Sequence, residues 1–398
     1  VKVAVLDTGV DPDHPDITIQ NEHWKDFGPD NSSTPKDYGE HGTHVSGTVV
    51  GGNASGTHIG VAPEAELWHG AVLTDCVSGG CTGTFDDITS GMQWAVQNDA
   101  DVISMSLGGE GYLSAFVDPI RNARQAGSLP VVSIGNDGAG TSSSPGNVYD
   151  ALSVGATNVN DNVASYSSGE TIDTSADWGS NAKSDWPETY PVPDISAPGS
   201  FVNSSLPGGE YGYKNGTSMA APHVSGVAAL IISNQSTDPS PDAIETRIEA
   251  TAVDIGTDKT RQGSGRLDAL AAVSASPPFY DVNITNTTEG LVEGETLSVE
   301  YEVTNTGDVA GEQNISLVVN RTEQAVEESV SLANGATFNG TFSYQTVSGD
   351  APNLTVVVAS DNTSETTTVP VSTPAFYSVE ITNTTEDLVE GETLAAEY

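Results

Sequence analysis

Basic side chains are scarce in this sequence. Its 398 residues include 12 lysines and arginines against 55 aspartates and glutamates, a formal charge of −43 with a sequence pI near 4.1. Nucleic acids and anionic membranes bind positively charged faces, so both are excluded as partners. Such a chain also repels itself in dilute salt, where screening is weak. We therefore expect a protein that works in concentrated brine, with an ordinary acidic secreted protein as the alternative.

Long apolar runs and cysteines are also scarce. No stretch of about 18 apolar residues occurs, so no transmembrane helix is predicted. The two cysteines, Cys76 and Cys81 in CVSGGC, are too few for a zinc site. We expect them to form a local disulfide, and two free thiols are the alternative. The sequence starts at Val1 within an apolar run, so any signal peptide or pro-segment lies outside it.

The first 272 residues alternate short β-branched runs with helical patterns. This alternation predicts an α/β fold with a mostly parallel sheet flanked by helices. The predicted strands are 1–6, 66–73, 102–107, 130–135 and 151–156, and the predicted helices are 41–50, 85–98, 114–126 and 218–233.

The character of the sequence changes after residue 272. Residues 273–278 contain SASPP and predict a stiff linker. Alternating apolar segments separated by Gly, Asn and Asp turns then predict an immunoglobulin-like all-β sandwich over 279–375. The run FYDVNITNTTEGLVEGETL from Phe279 returns, little changed, from Phe376, so 376–398 is interpreted as the truncated start of a second repeat.

Three short motifs carry the chemistry. Asp7 ends the first strand in VAVLDTGVD, His41 opens HGTHVSGT, and Ser218 stands before an Ala-rich helix in NGTSMAAPHVSG. A carboxylate, an imidazole and a hydroxyl are the groups that an acyl-transferring hydrolase needs. Each motif alone also has a structural reading: an aspartate capping a turn, a histidine at a helix start, or a serine capping a buried helix.

Together these motifs resemble the subtilisin-like (subtilase) family of serine proteases, in particular haloarchaeal extracellular members, over residues 1–272. The resemblance implies that Asp7 orients His41, that His41 is the general base and then the general acid, and that Ser218 is the nucleophile. It implies that Asn136, in VVSIGNDG, donates to the oxyanion. It also implies hydrolysis of peptide bonds through an acyl-enzyme, with no cofactor in the chemistry.

The same resemblance implies a substrate-binding region. Its residues are Ser106, Leu107, Gly108 and Gly109 on one wall, and Ser133 and Gly135 on the other. Peptide would bind there by strand addition. Asp137 lies next to this wall, and we hypothesise that it favours a basic side chain before the scissile bond.

Structural calcium is a further implication of the resemblance. Asp16 in DPDHPD matches one ligand position, whereas Ala54, in the loop 51–63, stands where a side-chain ligand is usual. Backbone carbonyls could still coordinate, so the site is left open. His44 and His223 are expected to be packing residues. The acidic insertion at 169–190 is assigned no role.

A second hypothesis treats the chain as a surface adhesion protein with an inactive protease-like domain, since the β-sandwich segment resembles archaeal adhesion-type repeats. Asn-X-Ser/Thr sites permit glycosylation and favour an extracellular or cell-surface location. The sites after residue 278 are Asn283, Asn286, Asn314, Asn320, Asn339, Asn353, Asn362 and Asn383. Strands rich in Thr and Asn also generate such sites by composition. Against inactivity stands the presence of every catalytic group.

Overall fold

The structure is a computed structural model that describes residues 1–77, 80–235, 239–375, 378–384 and 396–397. The chain divides into two compact units, Val1–Pro277 and Pro278–Tyr398. Most of the predicted second repeat, 376–398, lies outside the described residues.

The first unit contains seven α-helices among the residues described. They are α1 (His41–Val50), α2 (Phe85–Gln97), α3 (Val117–Gln125), α4 (Thr217–Ser233), α5 (Pro241–Ala250), α6 (Lys259–Gln262) and α7 (Ala269–Ser274). The predicted helix at 114–126 is shorter than expected, because Ser114–Phe116 forms a separate 3₁₀ turn before α3. No helix in the described part of the chain is both long and apolar enough to cross a membrane.

The strands of this unit build one large sheet and several short ribbons. In chain order they are β1 (Lys2–Asp7), β2 (Trp24–Asp26), β3 (Glu66–Ala71), β4 (Asp75–Val77), β5 (Gly80–Thr82), β6 (Val102–Met105), β7 (Gly109–Glu110), β8 (Leu129–Ser133), β9 (Ser143–Ser144), β10 (Leu152–Thr157), β11 (Glu170–Asp173), β12 (Thr189–Val192), β13 (Ile195–Pro198), β14 (Val202–Leu206) and β15 (Glu210–Lys214). The large sheet has the order β13-β10-β8-β6-β1-β3-β2, and all of its neighbouring pairs are parallel. This confirms the predicted α/β fold.

Strand β1 shows why the sheet is buried on both faces. Val3 and Val5 belong to the apolar cluster that contains residues of α1 and α4, whereas Ala4 and Leu6 belong to the cluster that contains residues of α2 and α3. Side chains alternate across a strand, so a strand covered on both sides must be apolar throughout. Residues 3–6 (VAVL) meet this requirement, and Lys2 lies at the partly exposed start of the strand.

The second unit is an all-β sandwich. Its main strands are β16 (Tyr280–Thr287), β17 (Leu291–Val292), β18 (Thr296–Asn305), β19 (Gly311–Val319), β20 (Thr322–Leu332), β21 (Thr337–Gln345), β22 (Asn353–Ala359) and β23 (Ser364–Ser372), followed by the short β24 (Asn383–Thr384) and β25 (Ala396–Glu397). One sheet has the order β16-β18-β21 and the other β17-β23-β22-β19-β20. Inward residues of both sheets, such as Tyr301 and Leu317, share one core.

Candidate active site

The carboxyl ends of three neighbouring parallel strands define the site. Asp7 is the last residue of β1, Ser106 follows the end of β6, and Ser133 is the last residue of β8. These strands are adjacent in the order β8-β6-β1, so their ends meet at one edge of the sheet. Open α/β sheets place their ligands at this edge.

Helix α1 brings His41 to the end of β1. The helix begins without a side-chain cap from Glu40; instead the Asp37 carboxylate accepts from Thr43 N (2.8 Å), and Thr8 Oγ1 accepts from Gly42 N (2.8 Å). A Cβ on Gly42 would lie 2.1 Å from the Gly9 carbonyl oxygen, so only glycine allows this close approach of helix and strand.

The Asp7–His41 pair is hydrogen-bonded. His41 Nδ1 donates to Asp7 Oδ1 at 2.7 Å, and the same oxygen accepts from Thr8 N at 2.7 Å. Asp7 is fully buried. An acceptor on the Nδ1 side places the proton of the neutral ring on Nδ1 and leaves Nε2 as the basic nitrogen.

The pKa of His41 is set by opposing effects. Burial lowers the pKa, but the negative charge of Asp7 and the hydrogen bond to it together outweigh burial, so the pKa of His41 is raised above its ordinary value. The pair thus stabilises the imidazolium that proton transfer from a nucleophile creates.

Ser218 is the second residue of α4 and exchanges hydrogen bonds with Ser106. Pro222, four residues further along the helix, has no N–H to donate to the Ser218 carbonyl. Ser106 Oγ donates to that carbonyl instead (2.8 Å), and Ser218 Oγ donates to the Ser106 carbonyl (3.3 Å). Among the described residues no hydrogen bond joins Ser218 to His41.

Asn136 is held in one orientation next to the start of α4. Its Oδ1 accepts from Thr217 N (2.9 Å) and from Thr217 Oγ1 (3.2 Å). The amide NH₂ donates to no side chain or backbone group in the described part of the chain. Ser218 N lies in the first turn of α4, where helical N–H groups lack partners within the helix. Two free donors therefore lie close to the serine.

These side chains line one cleft of about 1180 Å³. His41, Ser218 and Asn136 border it, and so do all six residues that the sequence assigns to substrate binding: Ser106, Leu107, Gly108, Gly109, Ser133 and Gly135. The exposed Asp137 borders it as well. The geometry brings these residues together, while their individual roles stay predictions.

Sequence reasoning missed several residues of the cleft. Ser143 is buried between the two predicted walls: a Cβ on Gly108 would lie 3.1 Å from Ser143 Cβ, and one on Gly135 would lie 2.7 Å from Ser143 Oγ. Nothing in its sequence context marks Ser143. The ribbon β4-β5 also borders the cleft, and its two cysteines were a usable signal.

Two further histidines lie away from the chemistry. His44 Nε2 donates to the carbonyls of Val202 (3.1 Å) and Gly212 (3.2 Å), and burial lowers the pKa of His44 to about 4. His223 Nδ1 donates to the Met219 carbonyl (2.8 Å), and burial lowers its pKa too. Both side chains pair with backbone carbonyls, as packing residues do.

The surroundings of Asp16 do not form a ready calcium ligand set. Oδ1 of Asp16 accepts from Ala54 N (2.5 Å), and Oδ2 accepts from the Tyr211 hydroxyl (2.6 Å). Both carboxylate oxygens are thus engaged by protein donors. Ala54 offers no side-chain oxygen, so calcium at this position would depend on shared lone pairs and backbone carbonyls.

One other acidic group lies outside the cleft. Ligand atoms of Asp194, Glu245 and Glu249 lie within 4.8 Å of one another, the one such group of three found among the residues described. Burial, followed by repulsion from Glu245, raises the pKa of Glu249 to about 7. Burial and both glutamates raise the pKa of Asp194. Glu249 is therefore only partly ionised at neutral pH, which opposes cation binding.

Comparison with known families decides the affiliation of the chain. Residues 1–268 match the model of the subtilase family, Peptidase_S8. The chain belongs to the subtilase family. The match spans the whole parallel sheet, helices α1 to α6 and every residue of the cleft described above, and it ends before the sandwich unit.

Curated subtilisins resemble this subtilase over the same region. Subtilisin amylosacchariticus of Bacillus subtilis subsp. amylosacchariticus is 37% identical over 276 residues, 68% of this chain and 65% of the relative. Subtilisin Savinase of Lederbergia lenta is 38% identical over 274 residues, 68% of this chain and 90% of the relative. This subtilase thus spans just under two thirds of the length of the first of these relatives.

Solved structures show the same fold. A protease of Pseudoalteromonas arctica PAMC 21717 superimposes with a TM-score of 0.54 at 33% identity, covering 69% of this chain and 89% of that one. A cold-adapted subtilisin-like serine proteinase superimposes with a TM-score of 0.52 at 31% identity, covering 67% and 86%. The uncovered third of the present chain corresponds in length to the sandwich unit.

Proposed function

We propose that this subtilase is a secreted serine endopeptidase that hydrolyses polypeptides through an acyl-enzyme on Ser218. The observation that carries the proposal is the convergence of the Asp7–His41 pair, Ser218 and Asn136 on a single cleft at the edge of the sheet. An extended peptide fits a cleft of this size better than a single small molecule does.

The reaction follows from the roles of these groups. His41 Nε2 takes the proton of Ser218 as its Oγ attacks the scissile carbonyl, and Asp7 stabilises the imidazolium. Asn136 and Ser218 N donate to the oxyanion. His41 then protonates the leaving amine, and water releases the acyl group by the same steps.

Attack requires one local rearrangement. Ser218 Oγ must exchange its 3.3 Å hydrogen bond to the Ser106 carbonyl for one to His41 Nε2. A serine side chain moves between staggered rotamers about a single bond, and catalytic hydrogen bonds of free enzymes commonly tighten only when substrate binds. The hydrogen bond to the Ser106 carbonyl is long and therefore weak, so we expect the barrier to this rearrangement to be small.

Casein hydrolysis tests the proposal. The protein should degrade casein and be blocked by a phosphonyl fluoride, and Ser218→Ala should abolish activity. Ser233→Ala is the matched control, because Ser233 lies on the same helix, exposed, with its hydroxyl bonded to the Leu230 carbonyl. Equal inertness of the wild-type and Ser218→Ala proteins, both correctly folded, would instead favour the adhesion hypothesis.

We also propose that the protein is adapted to high salt. The support is the excess of 43 acidic charges. The Debye length falls from about 10 Å at 0.1 M salt to about 3 Å at 1 M, so brine removes most of the repulsion. Melting temperature and activity should rise together with NaCl. Full activity in dilute buffer would contradict the adaptation.

We assign residues 1–272 to catalysis, 273–278 to a linker and 279–375 to a repeat that associates with the cell surface. Exposed asparagines in glycosylation sequences, such as Asn283 and Asn339 on the outer face of one sheet, support an exterior location. Binding of the isolated 279–375 segment to envelopes of the producing cells tests this assignment, and equal binding of an unrelated acidic protein would contradict it.

Calcium at Asp16 stays a prediction. It would require Ala54 N and the Tyr211 hydroxyl to release or share the carboxylate. If calcium binds, a chelator should lower the melting temperature of the wild type but not that of Asp16→Asn. An unchanged wild-type melting temperature would argue against the site.

A further inference from the structure

A disulfide closes a very small hairpin next to the active site. Strands β4 and β5 are antiparallel, Cys76 faces Cys81 across the ribbon, and the two form a disulfide. Each strand has three residues and pairs with no other strand in the described chain. Two-stranded ribbons are only marginally stable on their own. We therefore expect the stability of this ribbon to depend on the covalent link between its facing residues.

This ribbon borders the cleft that contains the catalytic groups. Its cleft-lining residues are Cys76, Val77, Gly80, Cys81 and Thr82. Val77, the last residue of β4, is 71% exposed beside the cleft, so its isopropyl group is accessible to a bound ligand.

The disulfide also packs on the segment that leads to the catalytic histidine. A Cβ on Gly39 would lie 2.9 Å from Cys81 Sγ, so the sulfur occupies the space that any side chain at this position would need. Gly39 is held in turn by a hydrogen bond from its N–H to Asp37 Oδ1 (3.0 Å). The ribbon therefore packs against Gly39, a residue whose position is held by this hydrogen bond.

We infer that the Cys76–Cys81 disulfide is a positioning element for substrate: it preforms one wall of the cleft, against which a peptide of several residues binds. A two-stranded ribbon leaves an outer backbone edge on each strand, and such an edge can accept a peptide strand. The inference rests on the proposed endopeptidase function, because it assigns the wall to peptide binding.

Preformation determines the size of the expected effect. Ordering the backbone of one residue on binding lowers the affinity about tenfold, which corresponds to about 1.4 kcal/mol. If substrate has to order even one residue of the unlinked ribbon, the affinity for long substrates falls about tenfold. A substrate too short to reach the ribbon does not incur this cost.

Reduction of the bond provides a clean test, because the chain has only two cysteines. Dithiothreitol converts the disulfide to two thiols and is itself oxidised to its cyclic disulfide. The assay compares kcat/KM for a tetrapeptide p-nitroanilide with kcat/KM for an N-acetyl amino-acid ester, before and after reduction. The tetrapeptide-to-ester ratio should fall about tenfold, mainly through a higher KM for the tetrapeptide.

Control measurements keep the outcome decisive. Thiol titration should give two thiols per chain after reduction, and a circular dichroism melt should show that the reduced protein is folded at the assay temperature. The Cys76→Ser/Cys81→Ser double variant should match the reduced enzyme and not respond to dithiothreitol. If the disulfide resists reduction by dithiothreitol, this double variant can be compared with the wild type in its place.

A tetrapeptide-to-ester ratio that stays within about twofold would overturn the inference. An equal loss on both substrates would overturn it too, because the disulfide would then act on the catalytic groups or on stability. Failure of the proposed function looks different: the oxidised wild-type protein would hydrolyse neither substrate.

Discussion

Replacing Asp7 by Asn separates the charge of the Asp7–His41 pair from its shape. Oδ1 of Asp7 accepts from His41 Nδ1 and Thr8 N, both at 2.7 Å, and Oδ2 is buried with no hydrogen-bond partner among the described residues. If the amide oxygen of Asn takes the place of Oδ1, the negative charge is lost. If the NH₂ takes that place, Nδ1 must become an acceptor and Nε2 carries the proton.

Either orientation disables the base. A charge pair about 4 Å apart is worth about 4 kcal/mol at an effective dielectric constant of 20, which corresponds to a factor of about 10³. A wrong tautomer raises the loss to about 10⁴ in another serine protease with the same substitution. We therefore expect kcat to fall about 10³- to 10⁴-fold, with KM little changed.

The pH profile gives a second, independent readout. His41 must be neutral to act as the base, so activity rises as the pH passes its pKa. Burial lowers this pKa, and Asp7 raises it above its ordinary value. Without the Asp7 charge, burial is the main influence on the pKa of His41 and lowers it. The acid limb of kcat/KM should therefore move to lower pH. The measurement is residual ester hydrolysis between pH 4 and about 9.

Asp13→Asn is the matched control, because it removes the same charge from an exposed position on the same segment. It should leave both kcat and the acid limb close to those of the wild type. Retention of more than about a tenth of wild-type kcat by Asp7→Asn, or an acid limb moved to higher pH, would refute the assigned role of the pair.

Three further substitutions test other parts of the molecule. Asn136→Leu should lower kcat about 10²- to 10³-fold with little change in KM, the range measured for loss of this donor in subtilisin; a change confined to KM would contradict an oxyanion role. Burial and repulsion from Glu245 raise the pKa of Glu249 from 4.5 to about 7, so its contribution to stability is present below pH 4.5 and is lost as the pH rises through 7. At pH 9 the free energy of unfolding of Glu249→Gln, measured by urea denaturation, should therefore exceed that of the wild type by about 1–3 kcal/mol. Stability that depends on pH in the same way in both proteins would contradict this. A Cβ on Gly340 would lie 2.3 Å from the buried Tyr301 hydroxyl, so Gly340→Ala should destabilise the sandwich by about 1–3 kcal/mol in thermal unfolding, and an unchanged melt would contradict the packing.

The sequence alone predicted what depends on neighbouring residues. The apolar run before Asp7 predicts a strand buried on both faces, and β1 has alternating residues in two different cores. The small residues after His41 and Ser218 predict closely packed helices, and α1 and α4 begin at or next to those residues. Short motifs carry this information because strand and helix periodicity are local properties.

Tertiary structure alone decided which distant residues support the site. The half-buried Asp37 carboxylate accepts a hydrogen bond from Thr43 N in the first turn of α1, and Ser143 lies between the two walls of the cleft. The seating of Cys81 on Gly39 is likewise invisible in the sequence. These contacts join residues that local patterns do not relate, and they arise only when the connections between strands fold back over the same edge of the sheet.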